Sequence, residues 1–200
     1  PDFYSVCQAY FMCGLTYSTD VGDPKPSLAK AKELMQQAGY KGTPIRLFQI
    51  TNIPAHNIAG LVTQQLLKKA GAAVQPMPGD IASILQRRLD KNIWDLQWGY
   101  IESFDGGSPL NNPYFRANCD AALPGWPCDD KLESLRTAFA MELDAKKRMG
   151  LVMKMQEQAY SKTVPYVPTG QYRIPSAVRS GVHDILISGA PVFWQIKKSA

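Results

Sequence analysis

The chain has 200 residues, of which 45% are hydrophobic and 20% charged, with a formal net charge of +5. That is one large domain or two small ones, with enough apolar material for a core. No run of residues nears the roughly 18 apolar positions of a membrane-spanning helix. The basic residues lie scattered or in short groups such as Lys68-Lys69 and Lys146-Lys147-Arg148, not in the basic stripe with interleaved aromatics that nucleic-acid binding needs.

Residues 1–26 read as an irregular lead-in. They begin Pro1-Asp2-Phe3 without Met or a signal-peptide pattern, so the chain is taken as a mature protein or a piece of a longer one. Ser27 is a good helix N-cap, and Leu28, Ala31, Leu34, Met35 and Ala38 recur at helical spacing up to Gly39. Ile45 to Ile50 is a strand apolar on both faces apart from Arg46 and Gln49, as in parallel sheets. A second helix runs from Pro54 to about Ala70, with Ile58, Leu61, Val62 and Leu66 on one face, and Gly71 stops it. Ala72 to Met77 reads as a short strand, and Asp80 caps a third helix carrying Ile81, Ile84, Leu85 and Leu89. Trp94, Leu96, Trp98 and Tyr100 then alternate with Asp95, Gln97 and Gly99, which is strand patterning.

Strands alternating with crossover helices imply a parallel sheet in an α/β layer. A turn-rich stretch from Glu102 to Pro127 follows. Asp130 with Glu133 makes an acidic capping-box pattern before Leu132, Leu135 and Phe139. A longer helix begins near Asp144 and carries Met149, Val152, Met153, Gln156 and Tyr160. Val164 to Trp194 reads as short strands broken by Pro165, Pro168, Pro175 and Pro191. The resulting division is 1–26 lead-in, 27–163 α/β lobe and 164–200 return strands and tail.

Four cysteines occur, none spaced C-x-x-C, which argues against a zinc knuckle or redox motif. Cys119 and Cys128 flank a loop dense in turn formers, so a disulfide is expected there, worth roughly 2.5–3 kcal/mol in the chain-entropy model. Two free core thiols are the alternative. The pairing of Cys7 and Cys13 stays open. A disulfide would place the protein in an oxidising compartment.

Open parallel sheets bind ligands beyond the carboxyl ends of their strands. That points to Asn52 and His56 after the first strand, to Pro78-Gly79-Asp80 after the second, and to Trp98, Tyr100, Glu102, Phe104 and Asp105 after the third. Aromatic walls with a few polar groups suit a small molecule; Trp94 and Trp98 can equally fill the core. The enzyme alternative is a hydrolase with Glu102 and Asp105 as a carboxylate pair. No nucleophile elbow, zinc-protease motif or phosphate loop accompanies it, and no cofactor or metal is expected.

Several runs are similar to one family. Residues 28–40, LAKAKELMQQAGY, resemble the "AKxLLxxAGY" helix of the dipeptide/oligopeptide-type solute-binding proteins of ABC importers. Ile58 to Val74, Asn92 to Gly99, Cys128 to Leu135 and Pro165 to Pro168 resemble later family segments in unbroken order. The resemblance implies a periplasmic-binding-protein-like lobe with a mainly parallel sheet flanked by helices, followed by a return segment. It implies non-catalytic capture of a peptide or other small solute, a missing first lobe and a membrane permease as partners, and a periplasmic or extracellular setting with a lipid anchor as one form. It also implies a departure: peptide-binding members carry an Asp three residues after the Trp matching Trp98, where this chain has Ile101. An apolar side chain cannot offset the desolvation of a peptide's ammonium.

Overall fold

The computed structural model describes residues 3–188 and 192–199. In chain order its elements are β1 (Tyr4–Ser5), α1 (Leu28–Gln37), β2 (Ile45–Ile50), α2 (Pro54–Ala70), β3 (Val74–Gly79), α3 (Ile81–Arg87), β4 (Leu96–Gln97), α4 (Ser103–Gly106), α5 (Asp130–Met141), α6 (Ala145–Gln158), β5 (Gln171–Tyr172), β6 (Val182–His183) and β7 (Lys197–Lys198). Single 3-10 turns sit at Pro113–Phe115 and Cys119–Ala121, and one π-helical turn, Ala159–Thr163, extends α6. By contact the chain divides into two compact units, one spanning Pro24–Tyr100 and the other made of the residues up to Asp23 with those from Ile101 onward.

The unit spanning Pro24–Tyr100 is built on a parallel sheet in the order β3-β2-β4. Its central strand β2 buries Leu47, Phe48 and Ile50, as its two-sided apolar pattern predicts, and Gln49 as well, which that pattern left out. β3 begins two residues later than the sequence suggests. It is an edge strand, which is why it tolerates Pro76 and Pro78. β4 keeps only Leu96–Gln97 of the expected run from Trp94 to Tyr100. At its start, the Asp95 carboxylate takes the Arg46 amide at 2.7 Å and the guanidinium at 2.7 and 3.0 Å, so a side chain occupies the donor that an earlier ladder bond would use. Trp94 is nevertheless buried and stacked on Phe48.

Helix ends follow the sequence. The Ser27 hydroxyl accepts from Lys30 N–H and the Asp80 carboxylate from Ser83 N–H. Gly71, at φ 99°, supplies the left-handed residue that ends α2. Leu89, expected on α3, falls beyond its end and is exposed. The apolar spacing of α2 is as read, but spacing does not set which way the helix faces. Ile58, Leu61, Val62 and Leu66 share one face, but that face is exposed. The buried side carries His56 and Gly60 and is polar: Gln49 Nε2 donates to Asn57 Oδ1 at 2.6 Å, Gln64 Nε2 donates to Gln49 Oε1, and Trp98 Nε1 donates to Thr63 Oγ1 at 2.7 Å.

The other unit is cored by Tyr10, Phe11, Phe115, Ala117, Leu132, Phe139, Val152, Met155 and Ala159. Tyr10 and Phe11 come from the irregular lead-in, where no periodicity announces them. On α6, Met155 is buried and Met153 is exposed. Gln156 is fully buried and fully bonded, accepting from Tyr10 N–H and donating to the Thr19 and Val21 carbonyls. The cap of α5 is Asp129, not Asp130, through Leu132 N–H; Glu133 instead accepts from Ala117 N–H and pairs with Arg136. Both cysteine pairs are bonded, Cys7–Cys13 and Cys119–Cys128. β1 pairs antiparallel with β5, and β6 with β7. Among the described residues the return segment carries no other strand, and Pro191, expected to break a strand there, lies outside the described residues.

Candidate functional site

The carboxyl ends of β2 and β3 are stitched together at one rim of the sheet. Their registers finish side by side, Ile50 opposite Gly79. Thr51 then donates both its N–H (2.9 Å) and its hydroxyl (3.2 Å) to the Gly79 carbonyl. Asn52 Oδ1 accepts from Ile81 N–H at 3.0 Å. Its visible work is therefore to hold the start of α3.

His56 lies in the first turn of α2, whose N-cap Ile53 offers no capping side chain. The imidazole is 6% exposed, and neither ring nitrogen has a hydrogen-bond partner among the described residues. Burial pushes its pKa below the ordinary 6.5, so at neutral pH it is a neutral ring with one donor and one acceptor to offer. Tyr100 meets it edge-on, with ring centroids 5.2 Å apart. Tyr100 keeps 52% of its surface exposed, while Trp98 is half-buried and tied to Thr63. Of the sequence-named residues in this unit, His56 and Tyr100 are thus brought together at the rim. Asn52 and Trp98 are engaged in holding α3 and α2.

Glu102, Phe104 and Asp105 fall in the other unit, on the turn around α4. The Glu102 carbonyl accepts from the Asp105 and Gly106 amides, and Phe104 is exposed. Gly106 is buried, and a Cβ there would stand 2.4 Å from Met12 Cε and 3.1 Å from Ile101 Cγ2. Ile101 thus packs beside that glycine. A concavity of about 430 Å³ in the same unit is lined by residues that include Cys7, Thr19, Asp20 and Asp23. Burial, and then the neighbouring Asp20, push the Asp23 carboxyl up. Sequence reasoning passed over both acids because no motif surrounds them. Among the described residues no group of three His, Cys, Asp or Glu could hold a metal ion, and no helix is long and apolar enough to cross a membrane.

No family model matches the chain. It is 27% identical over 183 residues to a probable peptide ABC transporter periplasmic-binding protein of Sinorhizobium fredii, covering 89% of this chain and 34% of the relative. Among solved structures it superposes on a dipeptide-binding protein from a Pseudoalteromonas species in complex with Met-Leu, with a TM-score of 0.76 at 18% identity over 97% of this chain and 40% of that one. The fold is that of the dipeptide- and oligopeptide-type solute-binding proteins. NikA from Staphylococcus aureus, in complex with Ni(L-His)2, shares this solute-binding fold, with a TM-score of 0.70 at 18% identity over 98% of this chain and 43% of that one. The chain spans about a third of the length of the curated relative. These proteins with the solute-binding fold are binding proteins by name, and no carboxylate hydrolase built on Glu102 and Asp105 is supported beside them.

Proposed function

We propose that this chain is the C-terminal lobe of an extracytoplasmic receptor that captures a small solute, a peptide or another molecule of that size, for an ABC importer. The lobe core would be 27–163. Residues 164–200 would return toward a first lobe outside this sequence, and the whole would sit in the periplasm or be lipid-anchored at the outer face of the membrane. The observation that carries the reading is the sheet rim, where an exposed aromatic, Tyr100, stands against a buried imidazole with two free nitrogens on a solute-binding fold. An open ring face and a desolvated hydrogen-bonding group are what a small-molecule wall needs. Trp98 and Asn52 support this wall through the elements they hold, and Glu102, Phe104 and Asp105, in the other unit, are proposed as ligand contacts in their own right. Ile101 in place of a carboxylate favours solutes that bring no free ammonium to that point.

Calorimetry on the complete two-lobed protein against dipeptides, oligosaccharides and metal–histidine chelates tests this. One class should bind, and Tyr100→Ala should weaken it at least tenfold. Binding that Tyr100→Ala and His56→Leu both leave unchanged would move the site elsewhere.

A further inference from the structure

The outward face of α2 is apolar although the rest of the chain's core does not use it. Ile58, Leu61, Val62 and Leu66 recur at helical spacing and remain 61%, 47%, 48% and 58% exposed, even with α1 lying against the same helix. Single exposed aliphatics are ordinary, but a contiguous row of four marks a surface that meets something apolar. The helix does not need this face for its own fold: its seat on the sheet is made by His56, Gly60, Thr63 and Gln64 on the opposite side.

Charge limits the choice of partner. The exposed Lys68 and Lys69 close the row at the C-terminal end of α2. Within 24–100 there are ten lysines and arginines against four acids, whereas the rest of the chain has twelve against thirteen. The positive balance of the whole chain therefore belongs to the unit that carries the apolar row. Two copies meeting through this unit would bring like charges together, which opposes self-association. A surface that is apolar beneath and negative above fits both features, and a bilayer with anionic headgroups is such a surface. We infer that the outward face of α2 docks the chain onto an anionic membrane surface, its aliphatic row entering the interface and its lysines meeting the headgroups. The inference does not depend on which solute is captured.

Cosedimentation of the complete two-lobed protein, in which any face covered by the first lobe is hidden, with phosphatidylglycerol-containing vesicles and with pure phosphatidylcholine vesicles tests it. The expected result is binding to the anionic vesicles at least tenfold stronger than to the neutral ones, weakening as salt rises above about 0.1 M because the Debye length shrinks. Leu61→Glu with Leu66→Glu should abolish it, with the fold checked by circular dichroism. If that variant does not fold, Lys68→Glu with Lys69→Glu, which leaves the aliphatic row intact, decides instead and should lower binding at least fivefold. Absence of binding to either vesicle overturns the inference, as does equal binding to both or binding that the folded variants retain. A dimer in sedimentation velocity that these substitutions dissolve, without vesicle binding, would overturn it in favour of a second copy.

Discussion

The two units solve the same packing problem with different materials. In the unit containing residues from Ile101 onward, interlocked rings do the work: Tyr10 and Phe11 each meet Phe115 edge to face, and Phe139, Tyr17 and the Arg148 guanidinium pack against one another. In the unit spanning Pro24–Tyr100, α2 is held to the sheet by amide and hydroxyl hydrogen bonds around a small glycine contact. Burying rings contributes more per residue than neutral hydrogen bonds, whose net worth is about 1 kcal/mol each. The first arrangement should therefore be stiff and costly to damage. The second holds its geometry by directional bonds and leaves a titratable group beside it.

The comparison breaks most sharply at Phe139. Phe139→Ala should cost about 3–5 kcal/mol in urea denaturation, because the fully buried ring leaves a cavity; a loss under about 1 kcal/mol would mean the aromatic cluster is no firmer than the polar seat. Next comes Cys119 with Cys128. Replacing both by Ser should cost roughly 2.5–3 kcal/mol, the loop-closure entropy of the bridge, read from the same experiment. Gly106→Ala should then cost about 1–3 kcal/mol, since its Cβ meets Met12 and the turn must shift; a neutral result in thermal melting would show that the Met12 side chain simply moves away.

The smallest effect sharpens the comparison from the other side. Burial lowers the folded-state pKa of His56 below its ordinary 6.5, so protonation favours the unfolded chain. Its contribution to stability is complete above the ordinary value of about 6.5 and is lost as pH falls from there through the lowered folded-state pKa. Melting temperatures taken between pH 8 and pH 5 should drop, and His56→Leu should flatten part of that slope. A slope that the substitution leaves unchanged would assign the dependence to other groups.

Much of this fold is written in punctuation. Ser27, Gly39, Gly71, Asp80 and Asp144 place helix ends, because caps and left-handed glycines act locally and need no partner. The parallel β2–β3 pair was equally legible from alternating strand and helix periods. The burial of α2 was not. Amphipathic spacing shows that a helix has an apolar side but not that this side is inward, and here a polar network took the inward role. The small residues Ala59, Gly60, Thr63 and Ala70 on the other side were the readable sign of close approach. Tyr10 and Phe11 escaped because a lone aromatic pair in an irregular stretch has no period to detect. At the site, the placement of His56 and Tyr100 near strand ends followed from topology. That Asn52 and Trp98 spend their polar atoms on α3 and α2 depends on distances no sequence pattern encodes.

The short β1–β5 pairing has a practical side. Tyr4 lies opposite Tyr172, and the Arg173 N–H reaches the Phe3 carbonyl at 2.8 Å, so the polypeptide leaves and re-enters this seam within about 5 Å. Everything between is a closed excursion with both feet on one step. Chain crossings held this close together are the geometry in which domain insertion is tolerated, because nothing on either side has to stretch to join them.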